Sequence, residues 1–300
     1  MQRIADQWKD YECLDAGEGE KLERWGSVLL RRPDPQAIWK RGNPALWQRV
    51  DAHYHRSRHG GGSWELLKPI PETWTIRYRE LTFKVSPTGF KHTGLFPEQA
   101  VNWDWMQNKI VRAKAEGRTI RILNLFAYTG GATMACASAG ADEVVHVDAS
   151  RGIVQWAKEN MTLSHLEGRT IRFLVDDAMK FLAREQRRGR TYHGIVMDPP
   201  SYGRGPGGEI WKWEDQLSQL IQAAGQVLDP QALFFLINSY TTGYSSVVLD
   251  NLLRTTLGKT RSGFIVTGDV VLPIRRDQLR LPCGIYGCWS DEDDEMVHSV

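Results

Sequence analysis

The residues best suited to chemistry in this sequence stand where apolar runs end. The segment NLFAYTGGATMACASAGADEVVHVD places Gly130 and Gly131 after one apolar run and Asp148 at the end of the next. A glycine turn lets backbone approach a ligand, and an acid at the end of the following strand can hydrogen-bond the hydroxyls of a ribose. The pattern therefore predicts a nucleoside ligand held by Asp148. The alternative is a purely structural turn in which Asp148 caps the next helix.

The composition of the turn narrows the choice of nucleoside. Dinucleotide-binding sequences carry G-x-G-x-x-G, whose glycines let a pyrophosphate approach and a helix pack on the strand. Here the turn reads YTGGATM, which lacks that pattern. A nucleoside that carries an amino acid instead of phosphates is therefore favoured, and S-adenosylmethionine is such a molecule. A nicotinamide oxidoreductase is disfavoured because the third glycine is missing.

Two further acidic segments follow later apolar runs. VDDAMKFL puts Asp177 at the end of a third strand, where a carboxylate or a neighbouring amide can meet an adenine edge. In MDPPSYG the prolines have fixed φ angles and no N–H, which leaves Asp198 and the Pro199 carbonyl as acceptors for a substrate amine or ring nitrogen. Tyr202 is suited to stacking on a planar base. The predicted catalytic residues are Asp198, Pro199, Pro200 and Tyr202.

A parallel sheet is needed to bring these strand ends together. From about Arg118, short apolar runs alternate with amphipathic segments of helical length, which predicts a doubly wound α/β domain over 118–290. The last connection is too short and polar for a crossover helix, so the final two strands are expected to form an antiparallel hairpin. Five helices are predicted between the strands. The seven predicted strands lie at 121–126, 143–147, 170–175, 193–197, 232–238, 264–272 and 281–289.

Residues 1–100 have a different sequence pattern, in which short apolar segments are interrupted by glycine and proline. They predict a small antiparallel β domain, followed by a linking helix at 101–117, and the chain closes with an acidic tail at 291–300. Half of the twelve tryptophans lie in this first region. Filling a small core is the favoured interpretation, and a platform for stacking bases is the alternative.

The stretch DAHYHRSRHGGGSW at 51–64 clusters histidines and arginines before three glycines. A mobile basic loop is the favoured interpretation, and contact with RNA phosphates through Arg56 and Arg58 is the second. A metal site ranks last because a glycine-rich tract does not fix a tetrahedral ligand set. The sequence therefore predicts no metal.

Composition indicates a globular protein of a reducing compartment. With 41% hydrophobic and 25% charged residues the chain can bury a full core, and its formal charge of +2 does not demand a nucleic-acid partner. Four cysteines without a CxxC pair suit the cytoplasm. No stretch approaches the ~20 apolar residues of a membrane span, so neither membrane insertion nor export is predicted.

Three motifs in series resemble a known family. LNLFAYTGGATMACASAGADEVVHVDAS, DDAMKFL and VMDPPSYG are similar to class I S-adenosylmethionine-dependent methyltransferases, specifically the group that contains the large-subunit ribosomal RNA cytosine-C5 methyltransferases. The resemblance covers roughly 90–290, including KHTGLFPEQ at 91–99, which is similar to the segment leading into the cofactor pocket. It implies a seven-stranded sheet with a reversed last strand, S-adenosylmethionine as cofactor and RNA, with ribosomal RNA favoured, as substrate. The implied cofactor contacts are Phe126, Tyr128, Thr129, Gly130, Gly131, Asp148, Ala149, Asp177, Ala178 and Asp198.

One departure from the family changes the expected mechanism. Methylation of cytosine C5 needs a cysteine thiolate, which the relatives carry after the fifth strand. Here that segment reads INSYTTGYS, with Asn238, Ser239 and Tyr240, and Cys136 is expected to be structural fill. The prediction is an enzyme that methylates an RNA base without a covalent cysteine; base, atom and oligomeric state stay open. The alternatives are a methyltransferase of proteins or small molecules and a non-catalytic cofactor-binding RNA module.

Overall fold

A computed structural model describes residues 1–57, 61–89, 91–241, 243–276 and 278–293, so residues 294–300 of the predicted acidic tail lie outside it. The chain divides into two compact units. The large unit comprises Met1–Arg3, Asn102–Asp269 and the chain from Gly284, and the small unit comprises Ile4–Val101 and Val270–Cys283. Each unit is therefore built from separated stretches, whereas the sequence pattern predicted contiguous domains with a boundary near residue 100.

The small unit is built mainly of β-strands. After β1 (Gln2–Ile4), which belongs to the sheet of the large unit, its elements are β2 (Tyr11–Gly17), β3 (Glu20–Trp25), β4 (Val28–Pro33), α1 (Pro44–Trp47), β5 (Ala52–Arg56), β6 (Gly62–Leu66), β7 (Trp74–Tyr78) and β8 (Leu81–Val85). Strands β2 to β6 form one sheet in chain order, and β7 pairs with β8. The described pairs are antiparallel except β4 with β5, which are parallel because the chain crosses over through α1 between them.

The tryptophans of the small unit serve its core. All six at positions up to 100 are buried or half-buried. Five of them donate their indole N–H to acceptors of the same unit at 2.7–2.9 Å, namely Trp8, Trp39, Trp47, Trp64 and Trp74. An indole that is buried and hydrogen-bonded in this way fills a core. This agrees with the interpretation favoured from the sequence.

An ionic cluster lies inside the same unit. The fully buried Glu23 carboxylate binds the Arg32 guanidinium at 2.6 and 2.8 Å and accepts a hydrogen bond from the Tyr11 hydroxyl at 2.8 Å. Lys21 lies 3.7 Å away. Burial would raise the pKa of Glu23, but the charges of Arg32 and Lys21 outweigh it and hold that pKa at about 2. The carboxylate is therefore ionised, and it ties β2, β3 and β4 together.

The basic stretch at 51–64 forms most of a β-hairpin. His53, His55 and Arg56 lie on β5, so the prediction of a mobile loop is wrong for these residues. The Ser57 N–H, after β5, donates to Gly61 O, before β6, at 3.0 Å. Arg58 and His59, the other residues of that prediction, lie outside the described residues.

The large unit alternates strands and helices around one sheet. Its further elements are α2 (Ala100–Ala115), β9 (Arg121–Leu125), α3 (Gly131–Ser138), β10 (Glu143–Asp148), α4 (Arg151–Leu163), β11 (Ile171–Val175), α5 (Ala178–Arg187), β12 (Gly194–Met197), β13 (Tyr202–Arg204), β14 (Ile210–Lys212), α6 (Trp213–Gln226), β15 (Phe234–Ser239), α7 (Ser246–Thr256), β16 (Phe264–Pro273) and β17 (Arg280–Ser290). The strand order is β1-β16-β17-β15-β12-β9-β10-β11. The doubly wound, mostly parallel fold predicted from the sequence is thus confirmed.

The sheet differs from the prediction in its strand count. It has eight strands among the described residues instead of seven, because β1 is added at one edge. Strands β11, β10, β9, β12 and β15 are mutually parallel, and β17 runs antiparallel to β15, which is the reversed last strand. Every residue of β12 and β15 is buried, as expected for parallel strands covered on both faces. Among the described helices, none combines the length and apolar character that crossing a bilayer requires.

Candidate active site

The predicted site residues follow the carboxyl ends of four adjacent parallel strands. β9 pairs in parallel with β10 on one side and with β12 on the other, and β11 pairs with β10. The residues that follow these strands therefore emerge at one edge of the sheet. The strand order reverses between β9 and β12, and open α/β sheets bind their ligands at such a reversal.

The turn between β9 and α3 is conformationally strained. Phe126 and Tyr128 adopt φ angles of 54° and 51°, which bulky residues rarely do. Each such residue costs about 1–3 kcal/mol, and this kind of strain clusters at functional sites. Two contacts to β10 hold the turn: the Ala127 N–H donates to Val147 O at 3.0 Å and the Tyr128 N–H to Asp148 Oδ2 at 2.9 Å. No sequence signal pointed to this strain.

Glycine is needed at the two positions of this turn for different structural reasons. Gly130 has a φ of 86° and caps the N-terminus of α3 without a side-chain hydrogen bond. The positive end of this helix therefore has no capping side chain and suits an anionic group such as an amino-acid carboxylate. At Gly131 a Cβ atom would lie 2.5 Å from Trp103 Cζ2 on α2, so glycine is required for packing. The neighbouring Thr129 is buried.

Asp148 joins the glycine turn to the following helix. Its Oδ2 accepts from the Tyr128 N–H and its Oδ1 from the Ser150 N–H, both at 2.9 Å. Burial raises the pKa of Asp148, although these N–H donors act against that rise. A carboxylate has about four acceptor positions, so it can also accept hydroxyl hydrogen bonds. Ser150, not Asp148, caps α4, and Ala149 between them is half-buried.

The third strand end shows Asp177 in a capping role. Asp177 Oδ1 accepts from the Lys180 N–H at 2.9 Å and so begins α5, whose first residue, Ala178, is buried. The preceding Asp176 is paired with Arg184. The cap engages one Asp177 oxygen and fixes the backbone of the Asp177–Ala178 step at the sheet edge.

The DPP turn after β12 is held by a tryptophan that the sequence did not single out. Asp198 is half-buried, Pro199 buried and Pro200 exposed. The Pro200 carbonyl accepts from Trp211 Nε1 at 2.5 Å, and the Trp211 ring lies 5.3 Å from the ring of Phe126, measured between centroids. Trp211 therefore links the DPP turn to the strained turn after β9. Only an ordinary tryptophan in a glycine-rich segment was visible in the sequence.

The glycine-rich segment that follows the DPP turn lies in a short hairpin formed by β13 and β14. Tyr202 on β13 pairs with Lys212 on β14. The Gly207 N–H donates to Glu209 Oε2 at 2.9 Å, and Glu209 pairs with Lys180 of α5. Tyr202 itself is 53% exposed, so its ring is accessible beside the DPP turn.

The fifth strand, β15, ends in Asn238 and Ser239, where the resemblance to the cytosine-C5 group would place a cysteine. Asn238 and Ser239 are buried, and Asn238 Oδ1 accepts from Asn102 Nδ2 at 3.0 Å. Burial raises the pKa of the thiols of Cys13, Cys136 and Cys283. The remaining thiol, of Cys288, is buried and bonds to Val266 O at 3.5 Å. Burial therefore keeps the thiols of Cys13, Cys136 and Cys283 protonated and weakly nucleophilic.

A buried polar network lies below the glycine turn. Thr133 Oγ1 on α3 accepts from Asn124 Nδ2 on β9 at 2.9 Å and lies 2.9 Å from His146 Nδ1 on β10. Burial lowers the pKa of His146 to about 3, so its imidazole is neutral. The network fixes the start of α3 against both strands. No sequence pattern connects His146 with the glycine turn.

Comparison with known proteins agrees with this geometry. The S-adenosylmethionine-dependent methyltransferase family matches residues 33–262. The crystal structure of an S-adenosylmethionine-dependent methyltransferase from Agrobacterium tumefaciens is 35% identical, with a TM-score of 0.91 over 97% of this chain and 94% of that one. A methyltransferase solved with S-adenosylhomocysteine shares the fold at 15% identity, with a TM-score of 0.71 over 94% of this chain and 76% of that one. The chain belongs to the S-adenosylmethionine-dependent methyltransferase family, so its cofactor is S-adenosylmethionine.

Curated relatives carry a more specific name. The ribosomal RNA large subunit methyltransferase K/L of Syntrophotalea carbinolica is 31% identical over 186 residues, which are 62% of this chain and 25% of that protein. The protein of the same name from Shewanella baltica is 37% identical over 120 residues, which are 40% of this chain and 16% of that protein. The chain thus spans about a quarter or less of the length of these relatives.

Proposed function

We propose that this enzyme methylates a base of large-subunit ribosomal RNA in the cytoplasm. The observation that carries the proposal is its similarity to relatives named for that substrate. An exposed tyrosine beside a turn of buried and half-buried acceptors supports a planar base as the target. The four free cysteines suit a reducing compartment.

The cofactor is proposed to lie across the ends of β9, β10 and β11. S-adenosylmethionine, when bound, supplies a methyl group on a sulfonium. Asp148 accepts hydrogen bonds from the ribose hydroxyls beside Ala149, and the open N-terminus of α3 receives the amino-acid carboxylate. The adenine meets the Asp177–Ala178 step. Phe126, Tyr128 and Thr129 shape the wall of this site from the turn after β9.

The DPP turn is proposed to hold the base. Asp198 and the Pro199 carbonyl accept hydrogen bonds from an amine or a ring nitrogen, while Pro200 gives the turn its rigidity and Tyr202 stacks on the ring. Catalysis is then mainly alignment of the base atom with the methyl group, together with acceptance of its proton or hydrogen bond. No thiolate takes part in this mechanism, because burial keeps the thiols of Cys13, Cys136 and Cys283 protonated and the thiol of Cys288 is buried and bonded to Val266 O.

Mass spectrometry of ribosomal RNA nucleosides tests the proposal. RNA from cells that lack the protein should lose one methylated nucleoside, wild-type protein should restore it, and Asp198→Asn should not. If cells that lack the protein keep all ribosomal RNA methylation but lose a methyl group from a protein or a metabolite, the enzyme is a methyltransferase of proteins or small molecules. If the protein binds S-adenosylmethionine but methylates neither RNA, nor protein, nor metabolite, it is a non-catalytic RNA module.

The proposed mechanism without cysteine has its own test. A variant with all four cysteines replaced by alanine should keep its methylation rate, provided circular dichroism shows that it is folded. A covalent adduct between the wild-type enzyme and RNA containing 5-fluorocytidine would contradict the mechanism. That outcome would leave the methyltransferase assignment intact.

A further inference from the structure

Two histidines and a glutamate converge on one face of the β5–β6 hairpin. His53 and His55 are two residues apart on β5 and so point to the same side of the strand, and Glu65 on β6 stands opposite His53. One ring nitrogen of each histidine and one carboxylate oxygen of Glu65 lie within 4.8 Å of one another. The two imidazole rings are 3.9 Å apart between centroids. These three residues are the histidine cluster.

A second carboxylate holds one of these rings. Glu20 Oε1 lies 2.8 Å from His53 Nε2, and Glu20 is itself held by Arg31 and Arg41. In metal sites a binding histidine donates its other ring N–H to a carboxylate, which fixes the tautomer and the ring orientation. Glu20 has that position, and its bond to Nε2 leaves the second ring nitrogen of His53 as a ligand. His55 Nε2 lies 2.7 Å from Glu65 Oε2, and both side chains are about half exposed, so a metal ion would replace this direct contact.

We propose that the histidine cluster is a zinc site in which His53, His55 and Glu65 bind the ion and water completes the tetrahedron. Imidazole nitrogen and carboxylate oxygen are ordinary zinc ligands at about 2.0–2.2 Å, which puts ligand atoms about 3.3 Å apart. Small rotations of the two exposed side chains reach that spacing. The ligands stand on paired strands, not on the glycine-rich tract, so the objection from the sequence does not apply. The ion would join β5 to β6, a role separate from methyl transfer.

Titration of the metal-stripped full chain with Zn²⁺ in a calorimeter tests the site. The wild-type protein should bind one equivalent, and His55→Gln and Glu65→Gln should each weaken binding at least about 10-fold. His165→Asn is the matched control, because His165 lies on the connection after α4 and asparagine tolerates its φ of 55°. This control should bind zinc as the wild type does.

Cobalt provides a second readout. Co²⁺ in the wild-type protein should show the visible absorption of a tetrahedral site, and zinc should displace it. Zinc should also raise the melting temperature of the wild type and not of His55→Gln. Equal affinity in wild type and His55→Gln, or an octahedral cobalt spectrum, would overturn the proposal.

Discussion

At the scale of single residues, Asp148 combines two tasks in one carboxylate. It binds the amide of the strained turn at Tyr128 and the amide of Ser150, and it is proposed to hold the ribose as well. The contacts with the two amides are present without a ligand. Because these backbone donors fix the direction of the remaining lone pairs of the carboxylate, they set the geometry of the proposed ribose contact. The sequence indicated the ribose contact, but the contact with the turn needed three-dimensional information.

Asp148→Asn should weaken S-adenosylmethionine binding about 10- to 100-fold. A hydrogen bond to a charged group contributes about 1.5–3 kcal/mol, and asparagine also turns one acceptor into a donor that faces an N–H. Calorimetry at pH 7.5 measures the change. Asp250→Asn on α7, at a partly buried residue paired with Arg254, should leave the affinity unchanged. An unaltered dissociation constant in Asp148→Asn would remove this residue from the cofactor site.

The pH dependence of cofactor binding follows from the same carboxylate. Burial raises the pKa of Asp148, and the ionised form is the one that accepts from the ribose. Affinity should therefore be constant at high pH and fall as the pH drops through this raised pKa, above the range of an ordinary aspartate. Titrations between pH 8 and pH 4 should show the fall in the wild type. Asp148→Asn should show a flatter profile.

At the scale of elements, the apolar runs were enough to predict seven of the eight strands of the large sheet. α4 shows why helices of this unit were predictable, because its amphipathic spacing and its N-cap residue, Ser150, are local signals. β1 was missed because three residues carry no periodicity. Trp211 was missed because its partners, Pro200 and Phe126, are distant in sequence. Local patterns thus gave the elements, and contacts made only after folding decided the details of the site.

Trp211→Phe should lower kcat roughly 5-fold with little change in cofactor affinity. The variant keeps a ring against Phe126 but loses the hydrogen bond to the Pro200 carbonyl, which is worth about 1 kcal/mol. Trp213→Phe is the matched control, because no hydrogen-bond partner of its indole N–H is found among the described residues. Equal kcat values for the two variants would mean that the Trp211 bond does not position the DPP turn.

Gly131→Ala should destabilise the protein by about 1–3 kcal/mol through overpacking against Trp103. In a Trp103→Leu background the same change should cost much less, because the obstructing ring is gone. Gly152→Ala on α4 is the control, since its added Cβ meets nothing within 4 Å. Urea denaturation of the four variants and the wild type gives the coupling. Additive effects would show that the clash is relieved elsewhere.

At the scale of the whole molecule, stability should depend on the Glu23 cluster of the small unit. Glu23→Gln leaves Arg32 and Lys21 without their buried counter-charge, which costs about 3–5 kcal/mol of unfolding free energy. The pKa of Glu23 is about 2 in the folded state against an ordinary 4.5, so its stabilising effect is complete above pH 4.5 and is lost as the pH falls toward 2. Urea denaturation at several pH values measures both effects.

The control for that prediction is Glu12→Gln, because Glu12 is partly exposed and its partners, Arg24 and Arg275, are partly or largely exposed. It should cost less than about 1 kcal/mol. Glu23→Gln should also flatten the loss of stability below pH 4.5 relative to this control. A Glu23→Gln protein as stable as Glu12→Gln would show that repacking compensates for the missing charge.

The discontinuous make-up of the small unit sets an order of events on the ribosome. Its final stretch, Val270–Cys283, supplies Val271 O to the Ala5 N–H and places Ile274 beside Cys13 on β2. About 180 residues separate Val101 from Cys283, and at ~5–20 residues per second their synthesis takes roughly 10–40 s. Throughout that interval the nascent chain exposes the β2 edge to neighbouring polypeptides. Strand β2 is therefore synthesised long before the stretch that covers its edge, and an uncovered strand edge is a site of mispairing that the nascent chain has to avoid.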